Sequence, residues 1–217
     1  MIRAFLFDLD GTLLDTEKLW VQATRAWLLD RGVPCTPEQA TKLVYGHSWH
    51  DIYTQLAARH PQLAVGETQA GLDLRPFFAK MRQPGHVIIA SSVALLKQLA
   101  AQHPVAIVSG SPRADVADGI ALMGVGAHVR FFLGSEDYGA GKPDPTCFLM
   151  AAQRLDVPPS QCLVFEDSSA GVRAAKSAGM MCVALARADA PAQDVSPADL
   201  VLADLAAFDR TAFAQKS

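Results

Sequence analysis

The chain has 217 residues, which at about 100–200 residues per domain suggests one domain, or one plus an insertion. Lys and Arg total 19 against 22 Asp and Glu, a net charge of −3, and with no long basic run this excludes a protein that coats nucleic acid. Half of the residues are hydrophobic and 19% are charged, a globular balance that excludes a disordered chain.

The first apolar run, Arg3-Ala-Phe-Leu-Phe7, is broken almost at once by Asp8 and Asp10, so it predicts a strand and no secretory leader. Residues 16 to 86 contain no strand-like run. They show helical patterns at 16–31, 36–44, 47–59 and 67–81, punctuated by Gly32-Val33-Pro34, His60-Pro61 and Pro76. Beyond them come Val105-Ala-Ile-Val108, Arg130-Phe-Phe-Leu133, Cys162-Leu-Val-Phe165 and Met181-Cys-Val-Ala-Leu185, with Asp199-Leu-Val-Leu202 as a candidate edge. These runs are continuous rather than alternating, as in strands buried on both faces of a parallel sheet. Helices fall between them. Ser111 and Pro112 can start one that stops at Gly124, and Ser168 or Ser169 can start one that stops at Gly179.

Strand and helix alternation predicts a doubly wound, Rossmann-like α/β core over 1–15 and 87–217, with an inserted helical cap over 16–86. The joints are expected at Leu14–Thr16 and between Gln83 and Ser92. No stretch reaches the roughly 18 apolar residues of a membrane span. The four cysteines, Cys35, Cys147, Cys162 and Cys182, form no C-x-x-C pair and are expected to be reduced. A soluble, cytoplasmic protein without nucleic-acid or membrane partners is the expectation.

The acidic residues are lopsided, with 17 Asp against 5 Glu. Asp is the poorer helix former, so the surplus belongs at caps, turns or chemical sites. Ligands of open parallel sheets bind at the carboxyl ends of strands. Asp8 and Asp10 follow the first strand, Ser109 and Gly110 the second, and Glu166 and Asp167 the run from Cys162. Lys142 stands in Gly-Lys-Pro-Asp-Pro before a helix. Four carboxylates at one edge repel unless a cation joins them, and hard oxygen ligands point to magnesium.

The residue types then suggest roles. A strand-end carboxylate can attack phosphorus, and a second one two positions on can donate and accept a proton. Gly11 permits a sharp turn, and Thr12 offers a hydroxyl beside a phosphate. The Ser109 hydroxyl and Gly110 amide can hold phosphoryl oxygens at a positive helix end, and Lys142 adds a point charge. Ser111, Asp144 and Ser168 are expected as helix caps, and Asp15 as a hinge residue.

Four segments carry a family likeness: Phe7-Asp-Leu-Asp-Gly-Thr-Leu-Leu-Asp-Thr-Glu17, Val108-Ser-Gly-Ser111, Gly141-Lys-Pro143 and Phe165-Glu-Asp-Ser-Ser-Ala-Gly171. In order and placement they resemble the motifs of the haloacid dehalogenase superfamily, in the subgroup with a helical cap after the first strand. The resemblance implies that Asp8 is the nucleophile and Asp10 the acid/base. It implies magnesium held by the Asp8 carboxylate, the Asp10 backbone carbonyl and Asp167, with Glu166 in or near its shell. Asp10 also favours phosphate esters, because the dehalogenases and phosphonate-cleaving members lack an acid there. One departure is Ala90-Ser91, where the family usually carries Pro-Gly.

In the cap, the stretch Val44 to Asp51 corresponds to a substrate-selecting loop in related phosphatases, which makes Tyr45, His47 and Trp49 candidate selectors. Trp20 is a fourth candidate, whereas Trp27, seven residues on, is assigned to the cap core. His47 and His50 are three apart but lack partners for a convincing metal site. The implied activity is magnesium-dependent hydrolysis of a small phosphorylated metabolite, with sugar phosphates ahead of flavin or nucleotide monophosphates. A mutase of the β-phosphoglucomutase type is the alternative. That mutase places a His on the first cap helix and a Lys and an Arg around the cap-loop Gly, where this chain has Trp20, Tyr45 and Trp49. A non-enzymatic regulator on the same fold is a third reading.

Overall fold

The computed structural model describes residues 1–45, 47, 49–81, 87–188, 190 and 192–213. The chain divides into two compact units, residues 1–14 with 88–217, and residues 15–87.

The first unit is a parallel sheet of β1 (Ala4–Phe7), β2 (Val105–Val108), β3 (Phe131–Leu133), β4 (Cys162–Glu166), β5 (Met181–Leu185) and β6 (Leu200–Leu202). Its spatial order is β3-β2-β1-β4-β5-β6. The chain therefore winds outward in one direction from β1 and in the other from β4, and the crevice where the order reverses is the place for a ligand. β1, β2 and β4 are buried along their whole length, as their continuous apolar runs require. Side chains alternate between the two faces. Phe5, Phe7 and Phe165 stack on one face, with Phe7 and Phe165 ring centroids 4.4 Å apart. Ala4, Leu6, Cys162 and Val164 pack on the other, against Phe148 and Val172. Asp8 and Glu166 continue that second alternation beyond the last apolar residues.

Four further helices belong to this unit: Ala90–Ala100, Arg113–Met123, Thr146–Leu155 and Ser169–Ser177, which become α5 to α8 after the four of the inserted unit. Ser168 caps α8 by accepting the Gly171 amide at 3.0 Å, as its sequence position suggests. Ser111 does not cap α6. Pro112 occupies the cap position and no side chain closes the helix start, because the Ser111 hydroxyl is engaged elsewhere. Gly124 ends α6 at φ +61°, the left-handed conformation that favours glycine. The buried cysteines are free, and burial pushes the Cys147 and Cys162 thiols up to about 11.

The inserted unit holds α1 (Thr16–Asp30), α2 (Pro37–Val44), α3 (Trp49–Arg59) and α4 (Glu67–Met81). A reciprocal capping box between Thr36 and Gln39 starts α2. Pro76 lies inside α4 and does not end it. The amide it lacks would have reached Leu72, an exposed residue whose carbonyl water can satisfy. Trp27, Leu28, Leu43, Ile52, Leu56 and Leu74 form this unit's own apolar centre. An antiparallel bridge between Leu14 and Ile88 closes the first unit, and the Asp15 amide bonds the Val87 carbonyl in the second. Positions 83–86 of the expected second joint lie outside the described residues. No helix among the described residues is long and apolar enough to cross a membrane.

Because each unit has its own apolar centre, Leu74→Ala should act locally. It is expected to cost about 2–5 kcal/mol and to speed amide exchange in α1 and α4 while leaving β1 and β4 protected, as read by hydrogen-exchange mass spectrometry.

Candidate active site

Three neighbouring strands meet on one side chain at the carboxyl edge of the sheet. The Lys142 ammonium lies 2.5 Å from Asp8 Oδ1, 2.6 Å from Glu166 Oε1 and 3.1 Å from the Val108 carbonyl oxygen. Its three protons thus face one acceptor beyond β1, one on β4 and one on β2. Asp8 reaches this place because its amide bonds the Phe165 carbonyl at 2.9 Å, extending the β1–β4 ladder by one residue. Lys142 also sits 5.0 Å from the centre of the Phe148 ring, and its side chain is 9% exposed. The Lys142–Pro143 peptide is cis.

Burial opposes the Lys142 charge, but Asp8 and Glu166 outweigh it and hold the ammonium well above the usual lysine range. Burial pushes the Asp8 carboxyl well above the usual aspartate range; Lys142 pulls it down, while Glu166 and Asp10 push it further up. Burial thus dominates at Asp8, whereas the neighbouring carboxylates dominate at Lys142.

Glu166 is fully buried. Its Oε2 accepts the amides of Asp167 and Ser168 at 3.1 Å each and the Ser168 hydroxyl at 3.0 Å. Gly171 must be glycine here, since a Cβ on it would lie 1.8 Å from Glu166 Oε1. Asp167 is treated likewise by Gly11, which has φ +86° and whose Cβ would meet Asp167 Oδ2 at 2.0 Å. Thr12 is fully buried and its hydroxyl donates to Asp167 Oδ1 at 3.1 Å, so in this structure Thr12 serves that carboxylate.

Asp10 is held from the β2 side. The Ser109 and Ser111 hydroxyls both donate to Asp10 Oδ2, at 3.1 and 2.6 Å. The Ser111 amide in turn donates to Ser109 Oγ at 3.0 Å. Ser109 itself is fixed by the Leu133 carbonyl on its amide and by the Tyr138 hydroxyl, 2.7 Å from its carbonyl. Burial pushes that phenol up to about 12, so it stays a donor. Gly110 is exposed, with open space where a Cβ would stand.

Sequence reasoning missed Ser111 and Tyr138. The Ser109-x-Ser111 spacing carried the first signal, because an extended chain points both hydroxyls to one side. Nothing in the sequence marks Tyr138.

The carboxylates of Asp8, Glu166 and Asp167 each offer an oxygen within 4.8 Å of the others. Hard oxygen donors, without His or Cys, and two glycines whose missing Cβ atoms leave room for Asp167 and Glu166 fit a divalent cation of the magnesium or calcium kind.

A sequence model described as haloacid dehalogenase-like hydrolase matches residues 2–179. The chain belongs to this family. Among relatives of this haloacid dehalogenase-like hydrolase, a validoxylamine A 7'-phosphate phosphatase of Streptomyces hygroscopicus subsp. limoneus is 31% identical, covering 94% of this chain and 95% of its own. Hexitol phosphatase A of Escherichia coli (strain K12) is 34% identical, covering 94% and 91%. A β-phosphoglucomutase of Clostridium difficile shares the fold, with a TM-score of 0.78 at 23% identity over 98% of this chain and 96% of that one. Like its phosphatase relatives, this haloacid dehalogenase-like hydrolase is a phosphoric monoester hydrolase.

In the helical unit of the hydrolase, Trp20 stacks on Phe78 with ring centroids 4.1 Å apart. Trp49 lies against Gly71, 3.4 Å from where a Cβ would stand, and is tilted on Tyr53. Tyr45 packs on the same apolar centre, and Trp27 is fully buried within it. His47 is exposed. His50 is also exposed and pairs with Glu67 at 3.1 Å. Gly46 lies outside the described residues. Asp15 pairs with Lys18 at 3.0 Å.

Lys142→Met would leave Asp8 and Glu166 buried without their counter-ion. It is expected to lower stability by about 3–5 kcal/mol in the presence of a chelator, measured by urea denaturation, with part of the loss recovered on adding a divalent cation.

Proposed function

We propose that the chain hydrolyses a small phosphomonoester, with sugar phosphates as the leading class, through a phosphoryl group carried on Asp8. The observation that supports this most is the spacing of two differently treated aspartates at one strand end. Asp8 is gripped by Lys142, whereas Asp10 is held apart from it by two serine hydroxyls.

In this reading an Asp8 carboxylate oxygen attacks phosphorus while the bond from phosphorus to the leaving oxygen breaks. Asp10 gives that oxygen its proton, so the product departs as an alcohol. Asp10, now a carboxylate, takes a proton from water. The resulting hydroxide attacks phosphorus, the acyl-phosphate bond to Asp8 breaks, and inorganic phosphate and the Asp8 carboxylate are restored. Ser109, Gly110 and Lys142 hold the phosphoryl oxygens, and Thr12 acts through Asp167. Magnesium would be held by Asp8, Asp167 and the Asp10 backbone carbonyl, with Glu166 in or near the shell, and would supply positive charge to the transferring phosphoryl group.

Relatives named for validoxylamine A 7'-phosphate and for hexitol phosphates support a polyhydroxylated substrate. Aromatic residues Trp20, Tyr45 and Trp49, with His47, are the proposed selectors, since ring faces suit the apolar side of a sugar. A mutase would need cationic groups to keep hold of a second phosphate, and these positions are aromatic.

The test is phosphate release from a panel of glucose 6-phosphate, fructose 1-phosphate, sorbitol 6-phosphate, FMN and UMP, with and without EDTA. Turnover should need magnesium and fall to background in Asp8→Asn. Asp10→Asn should lose about 10²–10⁴-fold, and Trp49→Ala and His47→Ala should change the ranking of esters. Isomerisation of a sugar phosphate without free phosphate would show a mutase, and a well-folded protein acting on no ester would show a regulator.

A further inference from the structure

The proton count at Asp10 has a consequence for Ser111. A hydroxyl has one proton to donate. In this structure the Ser109 proton is given to Asp10 Oδ2, and the Ser109 oxygen accepts the Ser111 amide. If Ser109 is to hold a phosphoryl oxygen, as the phosphatase reading on which this inference rests requires, its proton must leave Asp10. The second donor, the Ser111 hydroxyl, then stays, and at 2.6 Å it is already the shorter of the two contacts. Among the described residues the Ser111 hydroxyl bonds Asp10 and does not cap α6.

We propose that Ser111 is a positioning residue, whose hydroxyl keeps the Asp10 carboxyl in place while the Ser109 proton turns to the phosphoryl group. Ser109 and Ser111 then divide one task in two. The first follows the substrate, and the second stays with the acid. Two residues apart on an extended stretch, they can share Asp10 in the resting protein and part company on binding.

Without the Ser111 hydroxyl, Asp10 would lose the one of these two donors that stays with it when the substrate arrives. Proton delivery to the leaving oxygen would then suffer in proportion to how much that oxygen needs a proton. A sugar alkoxide needs it, whereas a nitrophenolate departs largely without it. Phosphoryl transfer to Asp8 and departure of the leaving group lie within kcat/KM, so that quantity is the one to compare.

The experiment measures kcat/KM of wild type, Ser111→Ala, Ser111→Thr and Ser111→Cys on the fastest sugar phosphate of the panel and on p-nitrophenyl phosphate. Ser111→Ala should lose about tenfold or more on the sugar phosphate and less than about threefold on the aryl ester. Ser111→Thr, which keeps the hydroxyl, should restore most of the loss. Ser111→Cys keeps the size with a weaker donor and should show the same bias, which serves if the alanine variant misfolds. Equal losses on both esters, or a threonine variant as impaired as alanine, would overturn the role of Ser111 and leave the phosphatase reading standing. Wild type inactive on both esters would remove the phosphatase reading itself.

Discussion

A buried ammonium is expensive, and its solvation is replaced only where several good acceptors converge. Lys142 has three, drawn from the three central strands of the sheet: the β2 carbonyl of Val108, Asp8 beyond β1, and Glu166 at the end of β4. One side chain therefore ties the strand ends together at the point where the winding reverses. The arrangement is also unbalanced. Asp8 and Glu166 already exceed the single positive charge, and Asp167 and Asp10 stand close by. The excess is what makes the site receptive to a further cation.

The rest of the site follows from holding those carboxylates at close quarters. Glu166 is held by Lys142 and by two amides and a hydroxyl of its own turn. Asp167 is placed by the absent side chain of Gly11 and by the Thr12 hydroxyl. Asp10 is turned to the β2 side by two serines. Four acids in one crevice thus receive four different environments, which is how similar groups come to perform dissimilar work.

Much of this was legible in the chain. Continuous apolar runs marked five strands within a residue or so, because a sheet covered on both faces demands them, and their absence over 16–86 marked the helical insertion. The polar residues following each run marked the crevice, since strand ends face it. What escaped was settled by local competition. Ser111 precedes a proline at a helix start, and only the position of Asp10 decides that its hydroxyl turns away from capping. Pro76 has the look of a helix breaker, yet an exposed turn tolerates it. Tyr138 is tied to Ser109 across 29 residues, a contact that no pattern in the sequence records.

The surplus of aspartate over glutamate has a similar local logic. Asp144, Asp194, Asp204 and Asp209 each accept the amide two residues on, at 2.8 to 3.2 Å, closing small side-chain turns. A glutamate closes such a turn with one more methylene, as Glu166 does onto the Ser168 amide, and aspartate is the shorter fit. The same shortness suits Asp8, Asp10 and Asp167, because a stubby carboxylate stays where the backbone puts it. Every one of these chemical residues lies in the unit formed by 1–14 and 88–217, whereas Trp20, Tyr45, His47 and Trp49 lie in the unit 15–87 with its own apolar centre. The proposed selectors and the carboxylates thus belong to different units of the chain.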